Sequence, residues 1–317
     1  MIHIACCFDR RFEILFLILA QSIARHTRSN VVIHALHDGP VPVAERDAPR
    51  TANLRVEFQD IGARYEKIDV NGPQSVVTYA RFVLPDILAG IDRILYLDVD
   101  MLTRRDLTPL YETDLEGKAL GAVIDHSLVD VLPWLGIDFG PQGNTRPSKD
   151  YVTEVVGLAD WARYFNAGLL LMDVPALSAS GRIEKARAFL REKGAIAINN
   201  DQDALNHAFE GDYKTLGPEW NCIANFSEVL GPDFTGRPGL REAWRGPAIA
   251  HYAGAKPWQS NASENRLQSA YWAAARDAGK QTALVKLALR DAGARADSTR
   301  RHDLGVVARR IFSSYFG

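Results

Sequence analysis

At 317 residues, with 47% apolar and 24% charged residues, the chain has the bulk of a soluble globular protein of one large or two ordinary domains. A net charge of −2 leaves no electrostatic footprint for nucleic acid. Three cysteines, Cys6, Cys7 and Cys222, cannot all pair and form no Cys/His cluster, which speaks against structural zinc and for a reducing compartment.

Residues 2–8 read as a strand, entered with no basic leader ahead of it, so the expected location is the cytoplasm. A polar turn, Asp9-Arg10-Arg11, follows. The spacing then predicts a helix over 12–26, whose apolar run is too short to span a bilayer, and a strand over 31–36. His37-Asp38-Gly39-Pro40 is a turn, 43–52 a helix, and 54–58 and 65–70 short strands. Asn71-Gly72-Pro73 breaks the pattern, and a helix over 76–84 carries Arg81. An apolar strand over 94–97 ends in Asp98-Val99-Asp100. Residues 107–115 read as a surface helix or turn, and 121–124 as a buried strand ending in Asp125. From 127 to 160 the sequence is irregular and rich in Gly, Pro and polar residues, as lids and insertions are. A strand over 165–173 is led by Phe165-Asn166, and a helix spans 174–193. A further helix opens at 199–203 with acids in its first turn, where the dipole favours them. A last short strand over 249–252 precedes Gly254-Ala255-Lys256-Pro257-Trp258. This alternation predicts an α/β fold with a parallel, doubly wound sheet and ligands beyond the strand carboxyl ends.

Asp98 and Asp100 fall at such an end. Along an extended chain they point to the same side, two residues apart. Carboxylates that close repel unless something positive lies between them, and a divalent, oxygen-loving cation is the usual answer. Asp-x-Asp also serves in turns and helix N-caps. A metal-dependent phosphohydrolase carries a similar motif, but this chain has Leu102 where that chemistry has Thr or Val.

From Arg276 onward nine basic residues face four acids. The end, 306–316, mixes aromatics with paired arginines, which suits contact with an anionic membrane surface or packing on the main domain.

Asp98-Val99-Asp100, Tyr164-Phe165-Asn166-Ala167-Gly168, Asn200-Asp201-Gln202-Asp203 and His251-Tyr252-Ala253-Gly254-Ala255-Lys256-Pro257-Trp258 occur in this order. The set resembles glycosyltransferase family 8, which includes bacterial lipopolysaccharide galactosyl- and glucosyltransferases and glycogenin. The resemblance covers roughly residues 1–260. It implies a GT-A type fold, Rossmann-like, with a mostly parallel sheet flanked by helices. The expected division is a catalytic domain over 1–265 and a helical, basic C-terminal segment over 266–317. The implied activity is retaining transfer of a hexose, galactose or glucose, from a UDP-sugar to a glycan or glycolipid acceptor such as lipopolysaccharide core. Mn²⁺, or Mg²⁺, is the implied cofactor.

By the same resemblance Asp98, Asp100 and His251 are metal ligands, with Val99 between them in the donor site. Lys256 meets the diphosphate, with the Gly254 backbone close by, and Arg81 bridges phosphate and sugar hydroxyls. Asp9 meets the uracil, and Ala5 and Cys7 line the base pocket through their backbone. Asp125 and Asn166 hold the donor sugar, and Asp201 and Gln202 stand at its reactive face. Retention can proceed through a carboxylate nucleophile or by front-face attack, in which Gln202 stabilises a cationic transition state. The chain departs from the family pattern at Arg11, where Asn is common, and in the single residue between Gly254 and Lys256. Those departures keep open a non-catalytic nucleotide-sugar or glycan binder.

Overall fold

A computed structural model describes residues 1–62, 76–131, 137–138, 145–227, 237, 239–259, 261–262 and 265–293. The strands are β1 (Ile2–Asp9), β2 (Val31–Asp38), β3 (Leu54–Asp60), β4 (Arg93–Leu97), β5 (Met101–Thr103) and β6 (Leu120–Ile124). They continue with β7 (Ile137–Asp138), β8 (Thr145–Arg146), β9 (Phe165–Asp173), β10 (Lys214–Thr215), β11 (Cys222–Ile223) and β12 (Ile249–His251). The main sheet runs β10-β6-β9-β4-β1-β2-β3. β3, β2, β1 and β4 are parallel neighbours, so the expected parallel core is present. β9 departs from it: it lies antiparallel to both β4 and β6.

Alternation along each strand divides the core between the two faces. Ile4, Cys6 and Phe8 of β1 join Leu95 and Leu97 on one face, beneath α1 (Glu13–His26). Ala5, Cys7, Ile94 and Tyr96 face the other way, beneath the helices Arg182–Lys193 and Asn200–Phe209. Helices thus cover both faces, as near-continuous apolar strands require. All three cysteines are buried and unpaired. Among the described residues no helix is long and apolar enough to cross a membrane.

Several elements differ from the sequence expectation for local reasons. The helix expected over 43–52 is Pro42–Asp47, because Ala48 precedes Pro49 and turns extended. The helix expected over 174–193 is two, Val174–Ala179 and Arg182–Lys193, parted at Gly181 with φ 69°. The helix expected over 76–84 is a 3-10 turn, Val76–Phe82, followed by a short helix Leu84–Ile87 with Pro85 in its first turn. Three residues per turn put Tyr79 and Phe82 on one side, with ring centroids 6.2 Å apart. The described residues of 127–160 carry more regular structure than expected. They hold the β7–β8 pair and, around a small core of Tyr151, Val152 and Tyr164, two π-helical turns and a short helix. The strand expected over 65–70 lies outside the described residues, as does the basic, aromatic end over 306–316.

The strand expected over 249–252 is β12, but it belongs to a second, three-stranded sheet, β11-β12-β5. β12 pairs antiparallel with β5, placing His251 opposite Met101. Behind it the helices Arg266–Asp277 and Gln281–Gly293 bury Tyr271, Trp272, Leu284 and Ala288 in the same core as α1. Arg25 pairs with Asp277, and Lys280 with Asp47 at 2.6 Å. Leu284 is fully buried, so Leu284→Ala should cost about 2–5 kcal/mol. Urea unfolding should show that loss in the transition of the whole chain; a separate early transition would show these helices to be an independent unit.

Candidate active site

The carboxyl ends of β4 and β6 and the start of β9 meet at a cavity of about 740 Å³. The reversed direction of β9 makes this possible, since its first residues lie beside its neighbours' last ones. The β6–β9 register jumps from Ala122–Leu170 to Val123–Asn166. Ala167, Gly168 and Leu169 therefore stand outside that ladder, as in a β-bulge. The backbone groups so released hold the site. Ala167 O accepts from Arg81 Nη1 at 2.7 Å, and Ala167 N donates to Gln202 Oε1 at 2.9 Å. On the other edge of β9, Gly168 O accepts from Asp98 N at 2.8 Å, continuing the β4–β9 ladder by one residue.

Asp98, Asp100 and His251 converge. One ligand atom of each lies within 4.8 Å of the others. Tyr252 N donates to Asp100 O at 2.9 Å, so the β12–β5 pairing itself draws His251 toward Asp100 across about 150 residues of chain. Gly168 leaves room for this convergence. A Cβ there would fall 2.5 Å from His251 Cε1 and 3.0 Å from Asp98 Oδ2. Two carboxylates and one imidazole around a space that any side chain would fill fit a divalent ion such as Mn²⁺ or Mg²⁺.

Each carboxylate also has a cation. Asp98 Oδ1 accepts from Arg81 Nη2 at 3.0 Å and from Tyr96 OH at 2.6 Å. Asp100 Oδ2 accepts from Lys256 Nζ at 2.5 Å. Burial opposes ionisation of Asp100, but the Lys256 ammonium beside it holds its carboxyl well below the usual range. Lys256 thus reaches the site despite the short spacing after Gly254, whose φ is 74°.

Arg81, 6% exposed, spans the floor. Its guanidinium lies 4.7 Å from the Tyr96 ring centroid and 2.8 Å from Asp201 Oδ2. That ion pair lacks hydrogen-bond alignment, which leaves Asp201 Oδ2 buried without a donor among the described residues. Burial pushes the Asp201 carboxyl up to about 6, against the pull of Arg81.

Gln202 is held on every side. Its Oε1 accepts from Ala167 N, and its Nε2 donates to Asp125 Oδ2 at 3.0 Å and to Tyr164 OH at 3.2 Å. Asp125 also accepts from Asn166 Nδ2 at 3.1 Å, from Leu128 N at 3.1 Å and from Ser127 Oγ. Tyr164 donates to Asp203 Oδ1 at 2.5 Å, and Asp203 accepts from Tyr151 as well.

Cys7, Val99 and Gly254 line the same cavity. Ala5 and Asp9 do not. Ala5 is buried between β2 and β4, paired with His34 and Tyr96. Asp9 is turned to its own loop, taking Arg11 N at 2.8 Å and the Arg11 guanidinium at 2.6 Å. Sequence reasoning missed Tyr96, Gly168 and Asn221. Gly168 carried a signal, since a glycine inside a strand marks a close approach. Asn221, 1% exposed, lies in a stretch with no periodicity to flag it.

Comparison with known proteins matches this architecture. The Glycosyl transferase family 8 profile matches residues 3–262. General stress protein A of Bacillus subtilis is 25% identical over 276 residues, covering 82% of this chain and 88% of its own length. Lipopolysaccharide 1,2-glucosyltransferase of Escherichia coli is 28% identical over 169 residues, 53% of this chain and 44% of its own. Of solved structures, the bifunctional glycosyltransferase WbbM superposes with a TM-score of 0.77 at 21% identity, covering 90% of this chain and 51% of its own. An active-site mutant of LgtC gives a TM-score of 0.68 at 25% identity, covering 87% of this chain and 96% of its own. The chain thus spans most of the stress protein and of LgtC but about half or less of the other two. With the matched profile spanning nearly all of the sheet and every residue of the cavity, the chain belongs to glycosyltransferase family 8 and has its GT-A type fold.

Proposed function

We propose that this protein transfers a hexose, galactose or glucose, from a UDP-sugar to a glycan or glycolipid acceptor, with retention and with Mn²⁺ or Mg²⁺ bound by Asp98, Asp100 and His251. The carrying observation is the convergence of those three ligand atoms within 4.8 Å beside Lys256 and Arg81. A bound divalent ion supplies positive charge against which a diphosphate can leave. Lys256 adds an ammonium at the same edge and Arg81 a guanidinium beneath it. Asp125, Asn166 and Gln202 form a rigid polar wall of the kind that discriminates sugar hydroxyls, and Asp201 Oδ2, which has no hydrogen-bond donor among the described residues, is a further acceptor for one.

The enclosed wall supports front-face attack. Asp125 is saturated by four donors, and Asp201 is clamped against Arg81, so neither is poised as a free nucleophile. Gln202, its amide fixed, is placed to stabilise positive charge at the anomeric carbon. Lipopolysaccharide core or another surface glycan is the proposed acceptor, supported by the similarity to the E. coli lipopolysaccharide glucosyltransferase. A cytoplasmic site of action, with peripheral membrane contact through residues 306–316, is proposed on the charge of that end. A catalytic unit over 1–265 is proposed together with it.

A binder without catalysis is favoured by one observation: Arg11 occupies the carboxylate of Asp9, the expected uracil contact. UDP release from UDP-galactose and UDP-glucose with Mn²⁺ decides between the two readings. Asp98→Asn and Asp100→Asn should each cut it by roughly 100-fold or more, as loss of a charge-stabilising group does. Variants with full activity would refute the metal assignment, and wild-type UDP binding without turnover across acceptors would favour the binder.

Asp201 makes a second test. Burial pushes its carboxyl up from 3.8 to about 6, so the folded state holds the proton more tightly. Stability should fall as pH rises through that window, by up to about 3 kcal/mol at about 1.36 kcal/mol per unit. Asp201→Asn should flatten the slope. Urea unfolding of the metal-free protein at about pH 4 and pH 7 measures it, and equal slopes in both proteins would count against a carboxylate whose burial outweighs its pairing with Arg81.

A further inference from the structure

The hydrogen bonds behind the metal ligands run in one direction only. Asp125, as a carboxylate, can only accept, so the group of Asn166 facing its Oδ2 is Nδ2, at 3.1 Å. The other end of that amide, Oδ1, accepts from Gly168 N at 3.0 Å, and a flipped amide would set donor against donor there. Asn166 Oδ1 therefore stands as an acceptor toward Asn221, whose Nδ2 donates to it at 2.9 Å. That leaves Asn221 Oδ1 facing His251 Nδ1 at 3.0 Å. An amide oxygen has no proton to give, so Nδ1 must carry it. The lone pair then lies on Nε2, the nitrogen 3.4 Å from Asp100 Oδ1. The whole chain is sealed: Asn166, Asn221 and His251 are 7%, 1% and 3% exposed.

We propose that Asn221 is the positioning residue that fixes the tautomer of His251, and that it reads the direction set by Asp125 through Asn166. This rests on the reading of Asp98, Asp100 and His251 as a metal site. The backbone N–H of Gly168 and the carboxylate of Asp125 are two independent anchors of the same polarity. A neutral imidazole free to choose would sit part of the time with Nε2–H pointed at the two aspartates, a donor where a ligand lone pair is needed. Outer partners that hold a ligating imidazole typically change metal affinity by about 10–100-fold when removed. One carboxylate, Asp125, accordingly orients both the Gln202 amide and, through two amides, the imidazole on the opposite side of the cavity.

The test begins on the full chain without metal. Nitrogen-15 NMR of the imidazoles at about pH 8, above the ordinary imidazole range, should show the Nδ1–H tautomer, with the His251 signals identified by their loss in His251→Gln. An Nε2–H tautomer in the wild type overturns the proposal whatever the variants do. Asn221→Leu keeps the branching, is somewhat bulkier, and removes both hydrogen bonds. It should mix the tautomers and weaken Mn²⁺ binding, read from the free-ion electron paramagnetic resonance signal, by about 10–100-fold. Asn221→Asp still accepts from Nδ1 and should retain the Nδ1–H tautomer. Unchanged Mn²⁺ affinity in folded Asn221→Leu sinks the role of Asn221 while leaving the metal site intact. A wild type that shows Nδ1–H but binds no Mn²⁺ sinks the metal reading itself and the purpose assigned to the relay with it.

Discussion

Two carboxylates at the end of one strand repel, and much of this molecule is arranged around that repulsion. At about 4 Å and an effective dielectric of about 20, two like charges cost on the order of 4 kcal/mol. Asp98 and Asp100 are held close together by groups from distant parts of the chain. Arg81 comes from a 3-10 turn, Lys256 from the loop after β12, and His251 from β12 itself. Each cation is near enough to offset one carboxylate, yet the two leave a shared space open between the acids. Gly168 keeps that space clear of side-chain atoms. A fold that merely needed to neutralise two half-buried acids could have closed over them.

The reversed strand β9 is what brings the second half of the site to the first. In an all-parallel sheet, the start of a strand lies at the far end from its neighbours' carboxyl termini. Antiparallel β9 instead places Asn166 and Gly168 beside Asp98 and Asp125. Its bulge then gives the backbone groups of Ala167 to Arg81 and Gln202 rather than to the ladder. Conformation and chemistry are coupled here, because straightening the bulge would unseat Arg81 and Gln202 at once.

This division explains what could be read from sequence. β1, α1, β2 and β4 follow from local periodicity, and each lies where apolar spacing puts it. Asp98 and Asp100 were legible because both sit on one short element. His251 needed the order of four motifs, since no local pattern couples it to Asp100. The direction of β9 was not legible: an apolar strand buried on both faces reads the same either way, and only pairing over long range sets its sense. Asn221 was hidden for a related reason. Its function is a hydrogen-bond polarity inherited from Asp125, and polarity of that kind exists only once the partners are in place.

The loop after β12 shows how a shortened segment still delivers its residue. Gly254 takes a left-handed φ of 74°, which any side chain would resist. Asn225 Nδ2 gathers the carbonyls of Ala253 and Ala255 at 2.8 and 2.9 Å, drawing the turn tight. Lys256 N donates to Gln259 Oε1 at 3.0 Å, and Trp258 Nε1 donates to Asp291 Oδ2 at 2.8 Å. The loop is therefore braced from inside by Asn225 and from outside by the last described helix. With its backbone held this way, the long flexible stem of Lys256 supplies the remaining reach, and its ammonium arrives at Asp100. The same bracing makes the C-terminal helices part of the apparatus that aims a cation at the site, a stronger tie than burial of apolar surface alone would create.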